Sequence, residues 1–518
     1  MPANPDRITA LEREADIAQN GLATGAGLIG LGYAGKRNHD RFHKDGISSC
    51  QASRFSVNEI GYGADNPTGY CAASHADTKD LKIELRRILI DGFNLALPRG
   101  TGVATYGYSL ALATKAMGLN VDAIYGLRAP FNRRLREIMF YESLGGEHQT
   151  IPPSRGWNLP RIRELSLLVR PKTARQIPTH GNVISDQFKH RLPPFDRIYT
   201  SPDLFEQAHR HFKRFGLFLP LRVPNPPEIA HWTYPLPVWL VGAKNVYTLH
   251  DLVPLRLPFA SLDNKRNYYK LIRACVRKAD HICTVSDASR DDIVRQFPLA
   301  AKKITNTYQA VRIAPAVLEQ PDAEVEASLR SIFNLPYKGY FMYFGAVEPK
   351  KNVARLIEAY LSLATKTPLV IAGSRAWGSE TELRLLQRDE LQPLKATFRN
   401  IRRIDYLPRN LLFTLVRGAK AVAFPSLYEG FGLPALEAMM LGTPVLTSNT
   451  SSLPEVVGDA ALKVDPYDVR AIAGGLRALD DDAQLRAKLS LAGRVQARLF
   501  TMDRYQERLA AMYDKVLK

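Results

Sequence analysis

From residue 340 to 464 the chain alternates short apolar runs with helix-length stretches, and this constrains its fold more than any other feature. Strands are expected at 340–346, 368–373, 401–407, 421–425, 444–448 and 461–464, and those at 340–346, 368–373 and 421–425 show no polar alternation. A strand without polar alternation is buried on both faces, and such strands form parallel sheets covered by helices. Helices are expected between them at 353–365, 380–391, 409–417, 433–441 and 453–457, and after them at 468–479, 483–499 and 503–517. The same pattern begins earlier, with a strand at 87–91, a turn at 98–102, a helix at 103–117 and a strand at 121–125, then resumes near 198. A chain of 518 residues is too long for one core. Two doubly wound α/β lobes are therefore expected, at 83–315 and 316–495. Breaks at Ala314-Pro315 and Gln320-Pro321 mark the linker region, and a closing helical segment, 496–518, is placed to pack back on the first lobe.

Residues 1–82 mix Gly, Asn, Ser, His and Asp with weak periodicity and read as a poorly ordered extension. Their Gly25-Ala26-Gly27-Leu28-Ile29-Gly30 string matches GxGxxG, but it lacks the strand before and helix after that give the motif mechanical meaning. No run of eighteen apolar residues and no basic head with an apolar stretch occurs, so a cytoplasmic location is expected, with the inner face of the cell membrane within reach. Four scattered cysteines (Cys50, Cys71, Cys275, Cys283) support neither a disulfide framework nor a zinc site. With 45% hydrophobic and 23% charged residues the chain is globular, and its formal charge of +19 calls for an anionic partner: nucleic acid, anionic lipid or a phosphorylated substrate. Between 127 and 195, Arg128, Arg133, Arg134, Arg136, Arg155, Arg161 and Arg163 interleave with Phe131, Met139, Phe140, Trp157 and Leu159. Basic and apolar side chains together suit an anionic membrane face, or else a plain solvated surface; no motif supports nucleic acid.

Three strand ends carry the chemistry. In Phe424-Pro425-Ser426-Leu427-Tyr428-Glu429-Gly430-Phe431-Gly432-Leu433-Pro434, a strand turns through glycines into a helix that continues to Glu437. Pro434 suits a first helical turn, the amides from Gly432 to Ala435 favour a phosphate, and the glycines permit close approach. Glu429 and Glu437 can address two ends of one elongated ligand, although acidic residues there are also stabilising in themselves. In Phe344-Gly345-Ala346-Val347-Glu348-Pro349-Lys350-Lys351-Asn352, paired ammonium groups can neutralise a diphosphate leaving group. In the first lobe a buried run from Asn245 ends in His250-Asp251, at the strand end where open sheets bind ligands.

These strings resemble glycosyltransferase family 4, densely over 340–466, moderately over 245–295 and thinly over 127–230. The resemblance implies the GT-B fold, two Rossmann-like lobes facing a central cleft, and a nucleotide sugar as co-substrate. It places Glu429 on the transferred sugar's hydroxyls, Glu437 on the ribose, and Gly430, Phe431, Gly432 and Leu433 along the sugar and diphosphate. Lys350 and Lys351 fall on the diphosphate, more heavily because Ala346 stands where some members carry Arg. His250 would contact the sugar, and Gly102, with Gly100, Thr101 and Tyr106, would face the diphosphate or acceptor. Ser286 matches a string read as structural, and Thr307-Tyr308-Gln309 departs from the Asn-Gly turn of relatives. Likeness to bacterial mannosyltransferases implies a retaining hexosyltransferase, with GDP-mannose as leading donor and a glycan or lipid-linked acceptor in surface polysaccharide or lipopolysaccharide synthesis. A UDP-sugar transferase and a degenerate nucleotide-sugar-binding scaffold are the alternatives, with a phosphorylase or epimerase of the same fold behind them. Without a DxD motif, metal-independent catalysis is expected.

Overall fold

The computed structural model describes residues 87–97, 102–128, 132–145, 170–178, 188, 192–387 and 400–518. The 1–82 extension, the Gly25 to Gly30 string, Gly100, Thr101, Phe131, Arg155, Trp157, Leu159, Arg161 and Arg163 lie outside the described residues. Residues 82–518 form one compact unit.

The first lobe contributes β1 (Arg87–Asp91), β2 (Asn120–Tyr125), β3 (Lys172–Thr173), β4 (Arg175–Ile177), β5 (Arg197–Thr200), β6 (Leu219–Arg222), β7 (Ile229–Trp232), β8 (Val238–Leu240), β9 (Lys244–Thr248), β10 (His281–Thr284) and β11 (Ile304–Asn306). Its main sheet runs β11-β10-β9-β7-β1-β2-β5-β4, parallel except for β4 against β5. Ile90 pairs with His231 and His231 with Val246, so the carboxyl ends of β1, β7 and β9 lie side by side. A small parallel sheet, β3-β6-β8, has no counterpart in the sequence pattern, because Lys172, Thr173, Pro220 and Arg222 keep its short strands from reading as apolar runs.

The second lobe contributes β12 (Phe341–Phe344), β13 (Leu369–Ala372), β14 (Ile401–Ile404), β15 (Ala421–Phe424), β16 (Val445–Ser448) and β17 (Leu462–Val464), ordered β14-β13-β12-β15-β16-β17 and wholly parallel. Renumbered from β12 this is 3-2-1-4-5-6, the doubly wound order whose ligand crevice opens at the carboxyl ends of the two strands where the winding reverses. Those strands are β12 and β15. Their four residues apiece are buried throughout, as expected for a sheet covered on both faces.

Helical bounds follow the sequence pattern with one exception. Of the stretch expected at 380–391, the described part forms a turn of α-helix, Ser379–Glu382, and a 3-10 turn, Arg384–Gln387. Glu382 points inward and accepts from the Ala354 amide at 2.9 Å, in the first turn of helix Val353–Leu361. The linker region also carries structure: helix Asp322–Ser328 lies against helix Arg409–Gly418, with Arg417 on Asp322 at 2.8 Å.

The last helix, Met502–Leu517, packs on helix Gly102–Ala116 of the first lobe, with Tyr505 and Tyr513 fully buried. His231 Nδ1 pairs with the Tyr513 hydroxyl at 2.7 Å and its Nε2 with Thr248 Oγ1 at 2.8 Å. Burial, reinforced by the neighbouring His250 and His281 rings, pushes His231 down from 6.5 to about 3. A histidine depressed on folding contributes stability above 6.5 that is lost as the pH falls toward 3, since only the unfolded chain takes up the proton. By pH 5 the loss reaches about 2 kcal/mol. Urea unfolding at pH 7.5 and pH 5 tests this: the stability difference between wild type and His231→Gln is expected to shift by that amount in favour of the variant at pH 5, whereas a constant difference would contradict it.

Candidate functional site

Beyond β12 the chain passes to the Pro349–Lys351 turn and reverses at Asn352, whose φ of 62° places it in the left-handed region. The Asn352 side chain donates to the Pro425 carbonyl at 2.9 Å and the Pro466 carbonyl at 2.7 Å, and the Leu427 amide donates to the Lys350 carbonyl at 2.8 Å. The loops after β12 and β15 are thereby locked together at the switch point. Across this seam Lys351 Nζ donates to Glu429 Oε1 at 2.7 Å, both side chains largely buried. The Glu429 backbone is held in turn: its amide donates to Ser451 Oγ at 3.0 Å and its carbonyl accepts from Ser452 Oγ at 2.9 Å.

Lys350 sits 3.4 Å from Glu348. Burial alone would lower its ammonium pKa, but the carboxylates of Glu348, Asp251 and Glu429 outweigh that and hold it above the usual range. Asp251 belongs to the other lobe, so both lobes fix this charge. At Gly432 the backbone turns left-handed, with φ 103°, and helix Leu433–Met440 starts with Pro434 in its first turn. The Ala435 amide is already committed to the Gly432 carbonyl at 3.1 Å and Pro434 has none, so of the expected amide row Gly432 and Leu433 remain. Glu437, one turn on, meets Arg409 at 3.1 Å. Burial raises its carboxyl above the ordinary range, and the arginine opposes the shift.

The first-lobe wall is a sideways chain across β1, β7 and β9. The Thr233 amide donates to Asp91 Oδ2, and His250 Nε2 donates to the Thr233 carbonyl at 2.8 Å. Burial raises the Asp91 carboxyl to about 6 against the hydrogen bonds it accepts. Burial also lowers His250, opposed by the Thr233 carbonyl and Asp251. The ring is therefore neutral with its proton on Nε2, since a carbonyl can only accept, and Nδ1 is left as an acceptor. Tyr106 stacks edge-on to His250 at 4.8 Å, but its hydroxyl pairs with Thr248 at 3.0 Å and the residue is 1% exposed. The expectation that Tyr106 faces a ligand is corrected: it supports His250 from within the core. Gly102 is the exposed first residue of its helix.

Ser289 Oγ joins the walls, donating to the His250 carbonyl at 2.8 Å with the Gly430 carbonyl at 3.3 Å. Phe431 turns its ring away, packing between Tyr308 and Phe500, so only its backbone lies along the loop; Leu433 is half-buried. Ser286 caps helix Asp287–Gln296 by accepting from the Ser289 amide at 3.0 Å. The departure at Thr307-Tyr308-Gln309 resolves into a left-handed Tyr308, φ 55°, whose amide donates to Asn306 Oδ1 at 2.8 Å in an Asx-type turn.

The structure thus unites Lys350, Lys351, Glu429 and Gly430 with His250 at the seam, and sets Glu437 one helical turn away. Sequence reading passed over Asp91, Thr233, Glu348, Asn352 and Ser451 as parts of the site. Asp91 gave a signal, a carboxylate closing an apolar run; Thr233 gave none, since it acts through its backbone.

A doubly wound pair with paired lysines and glutamates at the switch point defines a glycosyltransferase of the GT-B fold. The structure superposes on sucrose-phosphate synthase from Thermosynechococcus elongatus with a TM-score of 0.57 at 18% identity, covering 83% of this chain and 98% of that one. Residues 166–314 match the family model described as Glycosyltransferase Family 4, and residues 328–496 the model described as Glycosyl transferases group 1. O-antigen chain mannosyltransferase B of Escherichia coli is 37% identical over 266 residues, 50% of this chain and 67% of that protein. Serotype-specific mannosyltransferase WbdA of Escherichia coli is 32% identical over 263 residues, 49% of this chain but only 31% of its own length. The chain belongs to glycosyltransferase family 4 and is a hexosyltransferase.

Proposed function

We propose that this protein transfers mannose from GDP-mannose, with retention of anomeric configuration, to a growing surface polysaccharide or lipopolysaccharide acceptor. The observation that carries the reading is the buried Lys351–Glu429 pair at the β12/β15 switch point, flanked by Lys350. Lys351 gives Glu429 one of its three donors and keeps the others for a diphosphate. With Lys350 and the Gly432 and Leu433 amides it supplies fixed positive charge where negative charge develops as the glycosidic bond breaks. Glu429 accepts from the sugar hydroxyls, Glu437 from the ribose, and Nδ1 of His250 accepts from a sugar or acceptor hydroxyl. The acceptor approaches on the leaving-group side, and a phosphate oxygen takes its proton. These cations suffice for charge neutralisation, so a chelator is expected to leave the rate unchanged.

Mannose is favoured by the names of the two Escherichia coli relatives, both mannosyltransferases. Docking at an anionic membrane is supported by helix Arg133–Gly145, which leaves Leu135, Ile138 and Met139 exposed on one face. Among the described residues no helix is long and apolar enough to cross a membrane. Calorimetric titration with GDP, UDP and ADP tests the donor. GDP is expected to bind selectively, and Glu437→Ala to weaken it roughly 10- to 100-fold, the worth of a charge-assisted hydrogen bond. Preference for UDP would replace mannose with a UDP-linked sugar; no binding by any of the three would favour a scaffold.

A further inference from the structure

The Ser286-capped start of helix Asp287–Gln296 in the first lobe and helix Leu453–Val457 in the second are set face to face by the fold. Glu455 lies on the second-lobe helix Leu453–Val457 and reaches the start of the first-lobe helix Asp287–Gln296. Its Oε2 accepts from the Asp287 amide at 3.1 Å and its Oε1 from the Ala288 amide at 3.3 Å. First-turn amides have no acceptor within their own helix, and the positive end of the helix favours a carboxylate. One side chain from the second lobe thus spans two backbone donors of the first.

The attachments on each side lead straight to the reacting groups. Immediately after the clamped amides, Ser289 Oγ holds the His250 carbonyl. A few residues before Glu455, Ser451 and Ser452 hold the amide and carbonyl of Glu429. Leu453 also fills the space beside Gly432, where an added Cβ would come within 2.7 Å of it. Elsewhere between the lobes Tyr428 donates to Asp292 at 2.7 Å, while Leu427 and Tyr428 make apolar packing contacts with Val253, Leu257 and Ala260. Such apolar contacts favour closure, whereas the paired hydrogen bonds of Glu455 fix its register.

We propose that Glu455 is a positioning residue for glycosyl transfer, its carboxylate on the amides of Asp287 and Ala288 setting the closed spacing between His250 and Glu429. The inference rests on the functional reading above for its catalytic consequence, but not for its structural one. Glu455 makes no contact with the lysine pair or with Glu437, so its loss acts on the closed state and leaves the donor seat intact. Glutamine offers one oxygen and turns its NH2 toward the second amide donor, so it can restore only part of the clamp.

Hydrogen exchange on the full chain reads the clamp without substrate. In Glu455→Ala the Asp287 and Ala288 amides are expected to exchange on the order of 100-fold faster, while the amides after the first turn keep their protection. Release of GDP from GDP-mannose is expected to slow tenfold or more in kcat, GDP affinity to stay within about threefold, and Glu455→Gln to recover part of the rate. Unchanged protection of the two amides in Glu455→Ala, or a wild-type kcat with protection lost, overturns the proposal. If wild type neither binds GDP nor releases it from GDP-mannose, the donor reading fails; the clamp is then decided by exchange, and its positioning role by the rate with whichever donor binds.

Discussion

Glu429→Gln is expected to lower kcat by about 100- to 1,000-fold, the usual effect of removing one group that stabilises the transition state, with the chain still folded. The carboxylate lies at the seam of β12 and β15, 2.7 Å from Lys351, and its backbone is fixed by Ser451 and Ser452. Glutamine keeps the oxygen that Lys351 needs and the volume of the site, so unfolding free energy should fall by only about 1 kcal/mol. Glu429→Ala differs, because it strands a largely buried ammonium and should cost about 3 kcal/mol as well as activity. Initial rates and thermal melts on both variants separate the two roles. A glutamine variant with turnover within threefold of wild type would make Glu429 merely the counter-ion of Lys351.

The contrast between the variants depends on a pairing that no local pattern reveals. Glu429 and Lys351 stand 78 positions apart. Sequence reading could place each after the correct strand, because β12 and β15 announce themselves as wholly apolar runs, and the 3-2-1-4-5-6 winding makes their ends neighbours. It could not give the direction of the side chains beyond the strand ends, which tertiary partners decide. Phe431 was expected along the donor and instead fills a gap between Tyr308 and Phe500; Tyr106 was expected at the cleft and instead props His250. Glu382, at the end of the Ser379–Glu382 turn, points inward to accept from Ala354. The first-lobe wall was the least legible, since Asp91, Thr233 and His250 come from three separate strands and are joined through a backbone amide and carbonyl. A motif search sees residue types, and Thr233 contributes none.

Gly430→Ala is expected to reduce kcat/KM by about 100-fold while leaving the melting temperature nearly unchanged. A Cβ at position 430 would lie 2.8 Å from the His250 carbonyl oxygen, 3.1 Å from Asp251 Oδ2 and 3.3 Å from Asp251 Cβ. All three atoms belong to the first lobe. No rotamer change removes a backbone oxygen, so the clash is relieved only if the lobes separate, by a shift approaching 1 Å at the reacting groups. A misplacement of that size costs about 100-fold in rate. Position 430 is not among the positive-φ glycines, so alanine introduces no backbone strain, and each sheet keeps its own buried strands. GDP affinity should stay within about threefold, because Lys350, Lys351 and Glu437 all lie in the second lobe. Calorimetry with GDP beside steady-state kinetics would show the split: a variant that binds like wild type and turns over slowly identifies lobe closure as the step that Gly430 permits. Wild-type turnover would mean that the closed arrangement, with His250 against the Glu429 loop, is not the one in which the sugar is transferred.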